Sequence, residues 1–251
     1  MRRVCVLALV LAACGAPGVT PPSDAPASRT PLAAATATPP AAASPSRTAS
    51  PTLVGPALAT ARADFDCDGL DDTVQFFDIA ASLNPTKLAR LVRSWGDVAE
   101  LTFPGIEGGR SPLIGVADVN GDTCADAIVS VGTGASTVWT SFIVYDRDAL
   151  RLVEEDGKAA TFLYSGSVRH GNAIECRISK EGAEIVVRGI SNYTSDDQWD
   201  VVEDVHRWAT PSRLALFSTT KSVIRVSVPY AEPPNSARYW GLSCGGVKLP
   251  S

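Results

Sequence analysis

Two nine-residue stretches built to one plan constrain this chain more than anything else in it. They read Asp64-Phe65-Asp66-Cys67-Asp68-Gly69-Leu70-Asp71-Asp72 and Asp118-Val119-Asn120-Gly121-Asp122-Thr123-Cys124-Ala125-Asp126. Each places a carboxylate or amide oxygen at positions one, three, five and nine, the ligand order of a loop that curls around a hard divalent cation. The five carboxylates of the first stretch repel one another, so its folded form needs a counter-cation or ample water. Oxygen donors select calcium, magnesium or manganese over zinc or copper. A flexible, many-oxygen loop favours calcium (Ca2+), because magnesium demands a stricter octahedron and keeps its waters. The alternative is a solvated acidic turn with no metal.

An EF-hand opens in the same way but closes with a glutamate at position twelve and lies between helices. Here position twelve is Gln75 in one loop and Val129 in the other. The residues that follow, Thr73-Val74-Gln75-Phe76-Phe77 and Ala127-Ile128-Val129-Ser130-Val131, are rich in β-branched and aromatic side chains, so each loop leads into a strand. Asp72 and Asp126 must then close the cage themselves. Gly69 supplies a turn at position six, where the second loop has Thr123.

The two loops start 54 residues apart (64 to 118), a period that suits a four-stranded unit of a solenoid or propeller. Four cysteines keep similar time, at Cys67, Cys124, Cys176 and Cys244, and the last two are read as the starts of a third and a fourth unit that lack the acids. Alternation points to strands throughout. A hairpin is expected from Thr140-Ser141-Phe142-Ile143-Val144-Tyr145 to Leu150-Arg151-Leu152-Val153. A second runs from 199–208 to 213–217, and further strands fall at 183–188 and 223–228. Only 87–95 fits a helical face as well as a strand.

The chain opens with Met1-Arg2-Arg3, an apolar stretch over 4–13, and Leu11-Ala12-Ala13-Cys14. This resembles a bacterial lipoprotein signal, which implies cleavage after residue 13 and lipidation of Cys14. Residues 15–60 are mostly Pro, Ala, Ser and Thr, too poor in large apolar side chains to offset chain entropy, and are expected to form a disordered tether. The expected domains are therefore a signal over 1–13, the lipidated Cys14 and linker over 14–60, and a β domain over 61–251. The formal net charge of −5 comes without a Lys/Arg cluster, which argues against nucleic acid as a partner. Cys5 leaves with the signal, and the four remaining cysteines read as two disulfides with three possible connectivities. Pairing Cys67 with Cys124 and Cys176 with Cys244 would close loops worth about 4 kcal/mol each in the chain-entropy model.

The run Gly115-Val116-Ala117-Asp118-Val119-Asn120-Gly121-Asp122-Thr123-Cys124-Ala125-Asp126-Ala127-Ile128-Val129, and with it 63–74, resembles the FG-GAP or VCBS-type repeat of integrin propellers and bacterial surface proteins. That resemblance implies an all-β fold, a propeller or partial propeller with calcium loops. Carried over, the ligands are Asp64, Asp66, Asp68, the carbonyl of Leu70 and Asp72, then Asp118, Asn120, Asp122, the carbonyl of Cys124 and Asp126. The Phe-Gly and Gly-Ala-Pro dipeptides of the family are missing.

Catalytic signals are sparse. The histidines are His170, read as a turn residue, and His206, read as surface or hydrogen-bonded. The neighbours Glu154-Glu155-Asp156 and Glu203-Asp204 are the only suggestion of a glycosidase pair. Trp95, Trp139, Trp199, Trp208 and Trp240, with Tyr193, Tyr230 and Tyr239, read mainly as packing, with Tyr239-Trp240 the pair expected to be exposed. The expectation is a non-catalytic binding or adhesion module for a protein or carbohydrate, extracytoplasmic and held to the cell membrane by its lipid. The alternatives are a hydrolase of envelope polysaccharide or esters, and a structural subunit of an envelope assembly.

Overall fold

The computed structural model of the protein describes residues 53–79, 85–107 and 109–249. The signal, Cys14 and the linker as far as residue 52 lie outside the described residues.

The first four strands, β1 (Leu53–Ala63), β2 (Asp72–Ile79), β3 (Thr86–Val92) and β4 (Val98–Pro104), form an antiparallel meander. The ambiguous 87–95 segment is strand over Thr86–Val92. It pairs with β2 on one side and β4 on the other, and Leu88, Ala89 and Leu91 are buried on its two faces. A second meander follows with the same order: β5 (Leu113–Ala117), β6 (Asp126–Thr133), β7 (Val138–Asp146) and β8 (Ala149–Leu152). In both, the acidic loop joins the first strand to the second. The 54-residue period is thus two copies of one four-stranded unit.

There the period ends. Two short strands, β9 (Glu154–Glu155) and β10 (Lys158–Ala159), precede β11 (Phe162–Ser167), β12 (His170–Ser179), β13 (Gly182–Ser195), β14 (Gln198–Thr210) and β15 (Arg213–Arg225). Strand β11 pairs with the first residues of β7, so the second meander continues into one sheet running through β11, β12, β13, β14 and β15. The last strands are β16 (Gly241–Cys244), which lies parallel to β12, and β17 (Val247–Leu249).

Several expectations are corrected here. Cys176 lies inside β12 and Cys244 ends β16; the two are in register and disulfide-bonded, so their spacing records which strands meet and not the start of new units. Of the strand expected at 223–228, residues 223–225 are the end of β15, which follows the equally long β14 through two register shifts, and 226–228 lie beyond it. Strand β1 begins at Leu53, within the stretch read as tether, because Leu53 and Val54 already pair with Ile79 and Asp78. The fold is all-β, as alternation indicates, but the described residues close into neither a propeller nor a barrel.

Strands β6 and β7 are the middle layer, since their apolar residues are buried on both faces, with Ser130, Thr140 and Ser141 the buried polar residues among them. Ala127, Val129 and Ile143 face one cluster with Phe65, Phe76, Leu91 and Phe103 of the first meander. Ile128, Phe142 and Val144 face another, with Ile174, Ile185, Leu242 and Cys244. Burying each such side chain contributes about 1.5–3 kcal/mol. A third, smaller cluster gathers Ile190, Trp199, Val201 and Tyr239.

Glu184 on β13 is buried and accepts hydrogen bonds from Arg177 at 2.9 Å and Arg207 at 3.0 Å. Burial alone would raise its pKa; the two arginines outweigh it and hold the carboxyl below the ordinary glutamate value. Its contribution to stability is therefore present above the unfolded-state pKa and is lost as pH falls through the lower folded value. Glu184→Gln is expected to cost about 3 kcal/mol at neutral pH, because it breaks a buried ion network. Urea melts should place the two proteins far apart at neutral pH and bring them together in acid, below the glutamate range.

Candidate metal centre

The two acidic loops, 64–71 and 118–125, adopt one hydrogen-bonding scheme. The ninth-position carboxylate folds back on the second N–H: Asp72 Oδ2 accepts from Phe65 at 3.0 Å, and Asp126 Oδ2 from Val119 at 2.9 Å. The third accepts from the fifth, Asp66 Oδ1 from Asp68 at 3.2 Å and Asn120 Oδ1 from Asp122 at 3.0 Å. The fifth accepts from the seventh, Asp68 Oδ1 from Leu70 at 2.7 Å and Asp122 Oδ1 from Cys124 at 2.9 Å. The first accepts from the sixth, Asp64 Oδ2 from Gly69 and Asp118 Oδ2 from Thr123, both at 3.0 Å. Asp and Asn suit these places because a short side chain with an sp² oxygen reaches the backbone two residues on.

Both loops turn through left-handed backbone at positions four and six, but each spends its glycine at a different one. The first has Cys67 (φ 61°) and Gly69 (φ 87°); the second has Gly121 (φ 80°) and Thr123 (φ 74°). The glycine missing from position six of the second loop is thus found at position four. A β-branched residue pays for such a conformation in strain of about 1–3 kcal/mol. Thr123→Gly is therefore expected to raise stability by about 1 kcal/mol after the extra chain entropy of glycine is subtracted, seen as a higher denaturation midpoint.

The loops are also joined to each other. A disulfide links Cys67 to Cys124, with Cα atoms 5.1 Å apart, and Ala125 N–H donates to the Asp64 carbonyl at 2.8 Å. Both sulfurs beside Asp122 are consumed in that bridge and are not ligands.

Asp64, Asp66 and Asp72 each bring a carboxylate oxygen within 4.8 Å of the others. Among the described residues Asp118, Asp122 and Asp126 form no such group. Asp66 Oδ2 is buried and accepts no hydrogen bond among the described residues. Burial raises the Asp66 pKa, and the charges of Asp72, Asp68 and Asp64 add to it against the Asp68 N–H. Asp126 is raised well above the usual range, first by burial, then by Asp122 and Asp118, with the Val119 N–H opposing. Hard oxygen donors, one of them unpartnered, crowded where their ionised forms are disfavoured, are a donor set that fits a divalent cation. The carbonyls assigned to Leu70 and Cys124 belong to residues whose N–H groups turn inward to Asp68 and Asp122.

Sequence reasoning missed Ser94. It stands in the β3–β4 turn, where its N–H donates to Asp72 Oδ1 and its hydroxyl to Asp68 Oδ2, both at 2.8 Å. No motif marks a lone turn serine, so only the meander brings it there. Asn120 likewise reaches the Pro211 carbonyl at 3.3 Å, tying the second loop to the β14–β15 turn.

The other candidates fall elsewhere. His206 is buried and its Nδ1 lies 2.7 Å from Glu155, against the Phe162 ring. His170 Nδ1 lies 2.8 Å from the Ser167 hydroxyl and 3.0 Å from that of Tyr193. Glu203 is engaged by Arg188 and Arg238. Of the Tyr239-Trp240 pair expected to be exposed, Tyr239 is buried and Trp240 partly so, because both belong to the cluster around Trp199; Trp95, Trp139, Tyr193 and Tyr230 are the exposed tryptophans and tyrosines among the described residues.

Compared with known proteins, the chain matches no family model and no curated protein. The FG-GAP resemblance rests on the residues of the two loops.

Proposed function

We propose that the protein is a cell-surface lipoprotein whose β domain, stabilised by calcium, acts as a non-catalytic binding or adhesion module. The observation that carries the calcium reading is the unpartnered, buried Asp66 Oδ2 beside Asp64 and Asp72, in a loop whose hydrogen-bond scheme is repeated at 118–125. Asp64, Asp66, Asp68 and Asp72 would hold one ion, and Asp118, Asn120, Asp122 and Asp126 a second. The carbonyls of Leu70 and Cys124 complete the two sets. The ion supplies positive charge where four or five carboxylates meet, and ties the β1–β2 connection to its neighbours. Its role is structural. The formal net charge of −5 supports a partner other than nucleic acid, and the lipid anchor would place the domain outside the cell.

Extracellular calcium modules bind with Kd on the order of 0.1–1 mM. At 10 mM calcium such a site adds about 2 kcal/mol to the folded state by mass action. Calorimetric melts should accordingly rise with calcium and fall in EDTA. Asp66→Asn should abolish most of the calcium increment while leaving the EDTA melt close to that of the parent. A melting curve indifferent to both calcium and chelator would remove the metal from the account.

A further inference from the structure

Away from the acidic loops, the β12–β14 face carries an ordered row of charges. Arg188 stands opposite Glu203 on β14, and its side chain is 7% exposed. Its Nε donates to Glu203 Oε2 at 2.6 Å, and its terminal nitrogen lies 2.7 Å from Glu175 Oε2 on β12. Arg238, from the short 3-10 turn Ser236–Arg238, donates to the same Glu203 oxygen at 2.6 Å. On the other side, Glu175 is in register with Ser243 of β16, and Ser243 with Lys248 of β17.

A cavity of about 480 Å³ opens over this row, lined by Glu175, Arg188, Arg238, Trp240, Ser243 and Lys248. That volume is within the range of small-molecule sites, about 300–1,000 Å³. Trp240 is seated on Gly171, where any Cβ would strike the indole, and meets Trp199 edge-on at 6.0 Å. The ring is thereby fixed before anything binds. The rest of the lining, including Ala173, Ala237 and Leu249, is apolar.

The chemistry of the wall selects the ligand. Of the charges lining the cavity, Arg188 is shared by Glu175 and Glu203, and Arg238 is held by Glu203, itself outside the lining, so among the described residues Lys248 is the one lining cation outside these ion pairs. An anion gains the one ammonium but also meets Glu175, and a cation meets Arg188, Arg238 and Lys248. A purely apolar molecule would cover the Lys248 ammonium and the Ser243 hydroxyl without replacing their water. A sugar ring carries hydroxyls around its rim and C–H groups on its faces, so it meets the polar row and the indole at once.

We propose that this cavity binds one residue of a neutral carbohydrate, with Trp240 as the platform and Glu175, Arg238, Ser243 and Lys248 as the hydroxyl-reading groups. The proposal rests on reading the domain as a binding module and gives that module its ligand class and its site.

The test is a glycan microarray of neutral and anionic oligosaccharides probed with the full-chain protein in calcium, followed by titration calorimetry with the best neutral glycan. Retention of at least one neutral glycan is expected. The exposed pair Ser243→Ala/Lys248→Ala and, separately, Trp240→Ala should each weaken it about tenfold or more, or about 1.4 kcal/mol. Should Trp240→Ala fail to fold, Trp240→Phe is expected to fold and bind more weakly, and the Ser243/Lys248 pair still decides the matter. A silent array, binding untouched by these variants, or binding confined to anionic glycans and lost in salt overturns the proposal. A silent array with capture of a protein partner keeps the binding module and removes the sugar. Glycan binding without any calcium effect on melting keeps this site and removes the metal.

Discussion

Replacing Cys67 and Cys124 together with serine is expected to lower stability by about 4 kcal/mol in the chain-entropy model, because that bridge spans 57 residues. Denaturant melts at fixed calcium measure it, with the midpoint falling and the slope rising as the unlinked unfolded chain exposes more surface. The variant should also lose part of its response to calcium. Without the bridge the Ala125 to Asp64 hydrogen bond is the backbone link left between the two loops among the described residues. A midpoint shift worth less than about 1 kcal/mol would mean that the packing of Phe65 with Ala127 and Val129 already restricts the unfolded ensemble, the case in which the entropy model overestimates.

Asp72→Ala should be nearly as damaging, by about 3 kcal/mol, and should be so even in chelator. Asp72 is 1% exposed, and its two oxygens satisfy the Phe65 and Ser94 N–H groups. Truncation strands both donors at the start of β2. Asp72→Asn should recover part of the loss in EDTA, since an amide oxygen can still take one N–H, but should not recover the calcium increment. Equal melts for the alanine and asparagine variants in EDTA would show that the hydrogen bonds contribute little there.

The contrast between Asp72 and Ser94 also explains how far the chain could be read unaided. The acidic loops were legible because their chemistry is local: the oxygens, the turn residues and the strand that follows all lie within a dozen positions. The hairpins were legible for the same reason, as in the 138–152 pair, where alternation and a polar break coincide. What escaped was set by distant strands. Nothing near residues 241–244 says that they lie parallel to 173–176, and the cysteine spacing, taken as a unit length, instead marks that contact. Tyr239 and Trp240 follow two prolines and look terminal, yet Trp199, some forty positions earlier, covers them. The charge row at Arg188 was invisible too, because its members come from three strands and a 3-10 turn. Two meanders of the same strand order do not make a propeller when the sequence after them follows different pairing rules.

Strand β1 lies at an edge, pairing only with β2, and is the described element next to the segment that leads to Cys14. Tension pulling on the chain before Leu53 would peel β1 from β2 one backbone pair at a time, as a zipper opens. The tear would run to Cys67 and stop, since a covalent S–S link there passes the pull across to Cys124 and so into β6, which is locked between two apolar layers. A domain pulled from that side would thus yield by one strand and then hold, leaving the Trp240 cavity, built late in the chain, out of the line of force.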